Sequence, residues 1–149
     1  MKVLLIEDDQ NKVERVRSFL RDNVPDLAIE HAGSFNSGMR LLLGQNFDAL
    51  ILDMTLPMVD ITTKDPSGFK REHFGGRLVL REMQLRGINT PTVVLTQFDQ
   101  FGDGPDEMTL EQLDRELKDA FKFYEGSIYY SASHETWAVE LLGFFEKTQ

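Results

Sequence analysis

Glu7, Asp8 and Asp9 follow directly on the apolar run Val3-Leu4-Leu5-Ile6, and Asp53 follows directly on Ala49-Leu50-Ile51-Leu52. If these runs are neighbouring parallel strands, Glu7, Asp8 and Asp53 converge at one edge of a sheet. Like charges held that closely need a cation between them or a raised pKa. A hard divalent cation with oxygen ligands, Mg2+ above all, resolves the conflict. One of the carboxylates can then act as a nucleophile towards phosphorus. Asp53 is the only carboxylate at the end of its strand, which makes it the candidate nucleophile. Asp8 is placed to ligate the metal directly, and Glu7 to do so directly or through a water. The backbone carbonyl of Thr55 can turn back towards the metal. Thr96, at the end of a later apolar run, offers a hydroxyl to an added phosphoryl group, whose charge needs donors beyond the metal.

The elements that must position these residues alternate strand and helix. Strands are expected at 3–6, 27–31, 49–52, 92–95 and 128–130. Val13, Val16, Phe19 and Leu20 mark one face of a helix over 10–22. Ser34 is the expected N-cap of a helix running to about Leu43, with Gly44 to end it. A third helix is expected over 76–86, with Leu78, Val79 and Met83 inward, Leu85 as a further candidate, and Gly87 to close it. Thr109 and Gln112 form a capping box for a fourth, along which Leu110, Leu113, Leu117, Phe121 and Tyr124 keep helical spacing towards Gly126. A fifth helix is expected from about His134 to Lys147, apolar on more than one face, which points to a partner surface. Five such units imply an α/β fold with a parallel sheet covered on both sides. Ligands of such sheets bind beyond the carboxyl ends of the strands, where the acidic residues lie. Pro57–Gly75 and Gln97–Met108 are long connections, and loops of that length are usually functional or mobile.

A length of 149 residues suits a single domain with one sizeable core. With no cysteine, disulfides and thiolate metal sites are excluded. A net charge of -9 argues against binding a nucleic-acid backbone, which needs clustered Lys and Arg. No signal peptide and no apolar run long enough for a bilayer are evident, so a cytoplasmic protein with no membrane partner is the expectation.

The motifs resemble the receiver domain of bacterial two-component response regulators. Leu4-Leu5-Ile6-Glu7-Asp8-Asp9 is similar to that family's first-strand acidic motif. Leu50-Ile51-Leu52-Asp53-Met54-Thr55-Leu56-Pro57 is similar to its phosphorylation motif, and Val93-Val94-Leu95-Thr96 to its switch-threonine strand. The resemblance covers essentially the whole chain. It implies a flavodoxin-like (βα)5 doubly wound sheet of strand order 2-1-3-4-5, with enlarged loops after the third and fourth strands. It implies phosphorylation of Asp53, with Mg2+ bound, by a histidine kinase or phosphotransfer protein. A shift of the threonine and of an aromatic on the fifth strand would follow, changing the surface of the last two units. Read this way, residues 1–149 are a stand-alone receiver in a phosphorelay, without an output domain. It is a signalling phosphoacceptor rather than an enzyme, and it acts through contacts with a downstream protein. A homodimer through the fourth helix, fifth strand and fifth helix is a further expectation.

One departure matters. The family carries a lysine, usually followed by proline, at the end of the fifth strand. Here Tyr130-Ser131-Ala132-Ser133 stands there, with Ser131 the expected occupant and Ala132 or Ser133 the alternatives. A serine supplies a hydrogen bond but no charge. Lys64, Lys70 or Arg71 could swing in to replace the cation, in which case Lys70→Ala and Arg71→Ala impair phosphorylation and Lys2→Ala does not. The missing lysine also supports a rival reading: a degenerate receiver that carries no phosphate, binds or dimerises constitutively and keeps its cellular activity as Asp53→Asn. An aspartyl-phosphate hydrolase ranks lower, because Asp53-Met54-Thr55 lacks a second aspartate as acid–base. Simpler roles are open to single residues. Asp8 or Asp9 can be a helix N-cap. His31, His73 and His134 fit surface positions better than ligand positions, and Gly75-Gly76 fits a turn and helix start better than a phosphate cradle.

Overall fold

Apolar runs of four or five residues are too short for buried helices, and here they pair side by side in parallel. The structure, a computed structural model, describes residues 1–60, 71–72, 74–102 and 104–148. The strands are β1 (Lys2–Ile6), β2 (Ala28–Ala32), β3 (Ala49–Leu52), β4 (Thr92–Thr96) and β5 (Tyr124–Tyr129). They form one sheet in the order β2-β1-β3-β4-β5. The helices are α1 (Gln10–Asn23), α2 (Phe35–Gly44), α3 (Gly75–Leu85), α4 (Leu110–Ala120) and α5 (Thr136–Thr148). This is the flavodoxin-like arrangement expected from the sequence. Within the long connections, Leu56–Pro57 pairs antiparallel with Arg71–Glu72, and Gln100–Phe101 with Met108–Thr109.

The two-residue period of the strands divides the core into two layers. Leu4, Ile6, Leu50, Leu52 and Val94 pack with side chains of α2, α3 and α4, including Met39, Leu42, Val79, Met83 and Leu117. Val3, Leu5, Ile51, Val93 and Leu95 pack on the other face with Val13, Val16 and Leu20 of α1 and Trp137, Leu141, Phe144 and Phe145 of α5. β1 from Val3 onward and the whole of β3 are apolar because both of their faces are covered, whereas edge strand β2 is only partly buried.

Local chemistry sets the helix starts. Ser34 caps α2 in a reciprocal box with Ser37, and Thr109 caps α4 in a box with Gln112, as its sequence spacing requires. α3 starts at Gly75, and Gly87, at φ +72°, follows its end.

Three sequence expectations need correction. The apolar spacing from Leu110 runs on to Tyr124, but α4 stops at Ala120. Phe121 is already extended, and Thr92 N–H donates to the Phe123 carbonyl at 2.9 Å. The 3.6-residue spacing of Phe121 and Tyr124 thus coincides with a strand entry. Tyr124 pairs with Thr92, and a bulge at Glu125–Gly126, with Gly126 at φ +146°, restores the register. Leu85 does not face the core: it is 71% exposed in the last turn of α3. The surplus of apolar residues on α5 is mostly internal, since Trp137, Leu141, Phe144 and Phe145 are buried and Val139 is the large apolar side chain left exposed there.

Candidate phosphoryl and metal site

The register of the central strands sets the site. Val3 lies opposite Ala49 and Ile6 opposite Leu52, so the residues that follow, Glu7 and Asp53, leave the sheet at the same level. Backbone bonds hold both exits: Asp53 N–H donates to the Ile6 carbonyl at 3.0 Å, and Glu7 N–H to the Ala32 carbonyl at 2.9 Å. Glu7, Asp8 and Asp53 each place one carboxylate oxygen within 4.8 Å of the others. Octahedral Mg2+, with bonds of about 2.0–2.1 Å, spaces its ligands by roughly 2.9 Å when adjacent and 4.1 Å when opposite. Small side-chain adjustments therefore suffice to hold the ion. Asp53 and Glu7 are almost wholly buried, while Asp8 is half-buried. On the Asp8 side, Gln10, His31, Ser37 and Asp60 help line a cleft of about 280 Å³ that opens to solvent.

A cation is already present in this cluster. Lys12, in the first turn of α1, is only 2% exposed. Its ammonium pairs with Glu7 Oε1 and donates to the Leu95 carbonyl at 2.6 Å and to Gln97 Oε1 at 3.1 Å. It lies 3.7 Å from Asp53 Oδ1, a buried oxygen that accepts no hydrogen bond. The Tyr130 ring closes over it, centroid 5.4 Å from Nζ. When Glu7, Asp8 and Asp53 are all ionised, the three carboxylates and the Lys12 ammonium sum to two negative charges, which is the charge one divalent cation supplies.

The electrostatics follow from burial. Burial pushes the Glu7 carboxyl up to about 7, helped by the Asp53 charge and opposed by Lys12. Burial likewise raises Asp53, against the pull of Lys12. Without metal, Glu7 therefore keeps its proton below about pH 7, and a divalent cation must displace it. Mg2+ affinity is expected to fall about tenfold per pH unit below neutrality, with about one proton released on binding. Calorimetric titrations in buffers of different ionisation enthalpy check this, and an affinity that stays flat between about pH 8 and about pH 6 would contradict it.

The remaining sequence candidates divide. Asp9 is the N-cap of α1, accepting from Asn11 N–H at 3.0 Å and Lys12 N–H at 3.3 Å, so the bland role holds for Asp9 while Glu7 and Asp8 form the cluster. Glu7 Oε2 accepts the Asp8 and Asp9 N–H groups, each at 3.1 Å, which orients its other oxygen towards Lys12. Thr96 is fully buried at the end of β4, and its hydroxyl accepts the Phe98 N–H at 3.2 Å. Thr55 is half-buried in the turn after β3. Ser131 bonds to Ser133, Oγ to Oγ at 3.0 Å, whereas the preceding Tyr130 is the residue that reaches Lys12. Lys64, Lys70 and His73 lie outside the described residues, and only the backbone of Arg71 is described. His31 is closer to the site than its sequence context indicates, with Nε2 2.7 Å from the Glu7 carbonyl oxygen.

Lys12 belongs to none of the motifs, although it leaves a trace in the sequence. It falls on the Val13–Val16–Leu20 face of α1, where a lysine is out of place. It also sits in the first turn, where the helix dipole disfavours a cation. A lysine in that position requires a local concentration of negative charge.

The geometry defines a receiver fold with an acidic pocket at the carboxyl edge of its sheet, and comparison with known proteins agrees. No family model matches the chain. It is 28% identical over 144 residues to the Detocs response regulatory protein DtcB of Enterobacter cloacae, covering 95% of this chain and 96% of that one. Its structural neighbours include response-regulator receiver domains. They include the response regulator TrrA of Thermotoga maritima in complex with Mg2+ and beryllofluoride (TM-score 0.66, 16% identity, 99% of this chain and 98% of that one). Another is the phosphorylated cyanobacterial phytochrome response regulator RcpA (TM-score 0.67, 18% identity, 97% of this chain and 91% of that one).

Proposed function

We propose that this chain is a phosphorelay receiver that accepts a phosphoryl group on Asp53, with Mg2+ held by Glu7, Asp8, Asp53 and the Thr55 carbonyl. The observation that carries this reading is the convergence of three carboxylates at the carboxyl edge of β1 and β3. Mg2+ bound there neutralises charge on the phosphoryl oxygens. A lone pair of an Asp53 carboxylate oxygen forms the new O–P bond. The bond from phosphorus to the donor breaks, and its electrons leave with the donor group. With a phosphohistidine donor that group is imidazole, so a histidine kinase or phosphotransfer protein is the matching partner. The Thr96 hydroxyl, turning from Phe98 N–H, donates to a phosphoryl oxygen. That turn releases the start of the β4–α4 connection and carries the signal to the α4–β5–α5 surface, where a downstream protein or a second copy docks. Ser131, next to Tyr130, takes part as a neutral hydrogen-bonding group at the rim. In this reading residues 1–149 act as one receiver-like unit in the cytoplasm, and the chemistry stops at taking up and losing the phosphoryl group. Among the described residues no helix is long and apolar enough to cross a membrane.

Incubation with acetyl phosphate and Mg2+ tests the proposal. The expected result by intact-protein mass spectrometry is a single phosphoryl adduct that hydroxylamine removes and EDTA prevents. No adduct, or one indifferent to EDTA, would refute it.

A specific observation also favours the rival reading. Lys12 already pairs with Glu7 and approaches Asp53, so an internal ammonium could stand permanently in place of a metal. A constitutive binding module of that kind would show no Mg2+ binding at the cluster and no adduct.

A further inference from the structure

We propose that Lys12 is the phosphoryl-contacting cation of this site, delivered from the first turn of α1, and that it trades Glu7 for a phosphoryl oxygen when the metal arrives. The inference rests on Asp53 being the phosphoacceptor and assigns a residue that neither the motifs nor the comparisons name.

The argument starts from the cost of burying an ammonium. A lysine 2% exposed in a helix's first turn is tolerated only where its charge and its three N–H groups are answered. Here they are answered by one acceptor each: Glu7 Oε1, the Leu95 carbonyl and Gln97 Oε1. These partners differ in kind. Leu95 and Gln97 belong to β4 and its exit and flank Thr96, and neither is a metal-ligand candidate. Glu7 is one. A divalent ion that draws Glu7 into its coordination sphere frees one N–H while the other two keep the ammonium anchored. Asp53 Oδ1 is 3.7 Å from Nζ, so a phosphoryl group on Asp53 brings an anionic oxygen within reach of that freed donor. The Tyr130 ring covers the ammonium from the β5 side and excludes water. Arg15, one turn further along α1, donates to the Ala132 carbonyl at 2.8 Å and holds this segment against the helix.

The proposal makes Lys12 act with opposite sign on the two ligands of the site. Its charge repels Mg2+ and attracts the phosphoryl group. Lys12→Met is therefore expected to bind Mg2+ about tenfold more tightly. The same variant is expected to take phosphoryl from acetyl phosphate about a hundredfold more slowly. Lys12→Arg should recover part of the rate, and Lys2→Ala should match the wild type in both measurements. A purely structural role for Lys12 would lower both together. Lys12→Met falling in both, or phosphorylating at the wild-type rate, overturns the proposal. So does a loss of rate in Lys70→Ala or Arg71→Ala while Lys12→Met keeps the wild-type rate.

Two further readings separate the possible failures. If the wild type binds Mg2+ at the cluster but takes no phosphoryl group, the phosphoacceptor reading fails first. If Lys12→Met does not fold, the wild type with isotopically labelled lysine side-chain nitrogens replaces it. Mg2+ plus beryllofluoride should shift a slowly exchanging, buried ammonium resonance, and an unmoved resonance overturns the proposal.

Discussion

Asp53→Asn is expected to lose phosphoryl uptake by at least about a hundredfold and yet to melt at a higher temperature in EDTA. The first effect follows from removing the nucleophile. The second follows from burial. Asp53 lies almost wholly out of water beside Glu7, and its pKa is raised because burial opposes its ionisation. An amide of the same shape carries no charge to desolvate, and Lys12 keeps Glu7 as its partner. The gain is expected to be about 1–3 kcal/mol at neutral pH. Labelling by acetyl phosphate and calorimetric melting check the two halves. Undiminished labelling would move the acceptor elsewhere. A lower melting temperature would mean that Asp53 stabilises the metal-free pocket through Lys12 more than burial opposes it.

Gly76→Ala is expected to be the most disruptive single-methyl change near the site. Gly76 is the second residue of α3, and its N–H donates to the Met54 carbonyl at 2.8 Å. A Cβ there would lie 2.5 Å from the Asp53 carbonyl oxygen and 2.9 Å from the Met54 Cα, both backbone atoms with little freedom to retreat. The neighbouring Gly75 is similarly placed, with a Cβ 2.8 Å from the Leu56 carbonyl oxygen. The glycine pair thus lets the start of α3 lie directly on the turn that carries Asp53. Forcing them apart is expected to cost about 2–4 kcal/mol. It is also expected to weaken Mg2+ binding, because Asp53 moves with its backbone. Urea titration and Mg2+ titration of the variant test both effects, and wild-type values in both would show that the contact is not tight.

Much of this was legible in the residues. The four-residue run Ala49–Leu52 is the strand found, Ser34 and Thr109 are the caps found, and the parallel pairing that brings Glu7 level with Asp53 follows from the alternation of strands and helices. The less legible features have physical reasons. The end of α4 was masked because Phe121 and Tyr124 keep a helical period while entering a strand, and only the pairing with Thr92 and the bulge at Gly126 resolve it. The motif places the cation at the end of the fifth strand, where Ser131 carries no charge, and proximity alone points to Lys64, Lys70 or Arg71 in the long loop. Lys12 instead reaches the site from a helix, by burying its whole aliphatic stem, a route visible only once α1 is laid against β4. His31 stays outside the carboxylate cluster, as its sequence context indicates, yet its ring meets the Glu7 carbonyl across the β1–β2 edge.

A crystal structure of the wild-type protein grown with Mg2+ and beryllofluoride tests the central claim most directly. The account expects beryllium on an Asp53 carboxylate oxygen, the metal bound by Glu7, Asp8 and Asp53, and the Lys12 ammonium on a fluoride instead of on Glu7. Beryllofluoride absent from Asp53, with Lys12 still paired to Glu7 and no metal among the three carboxylates, would contradict it.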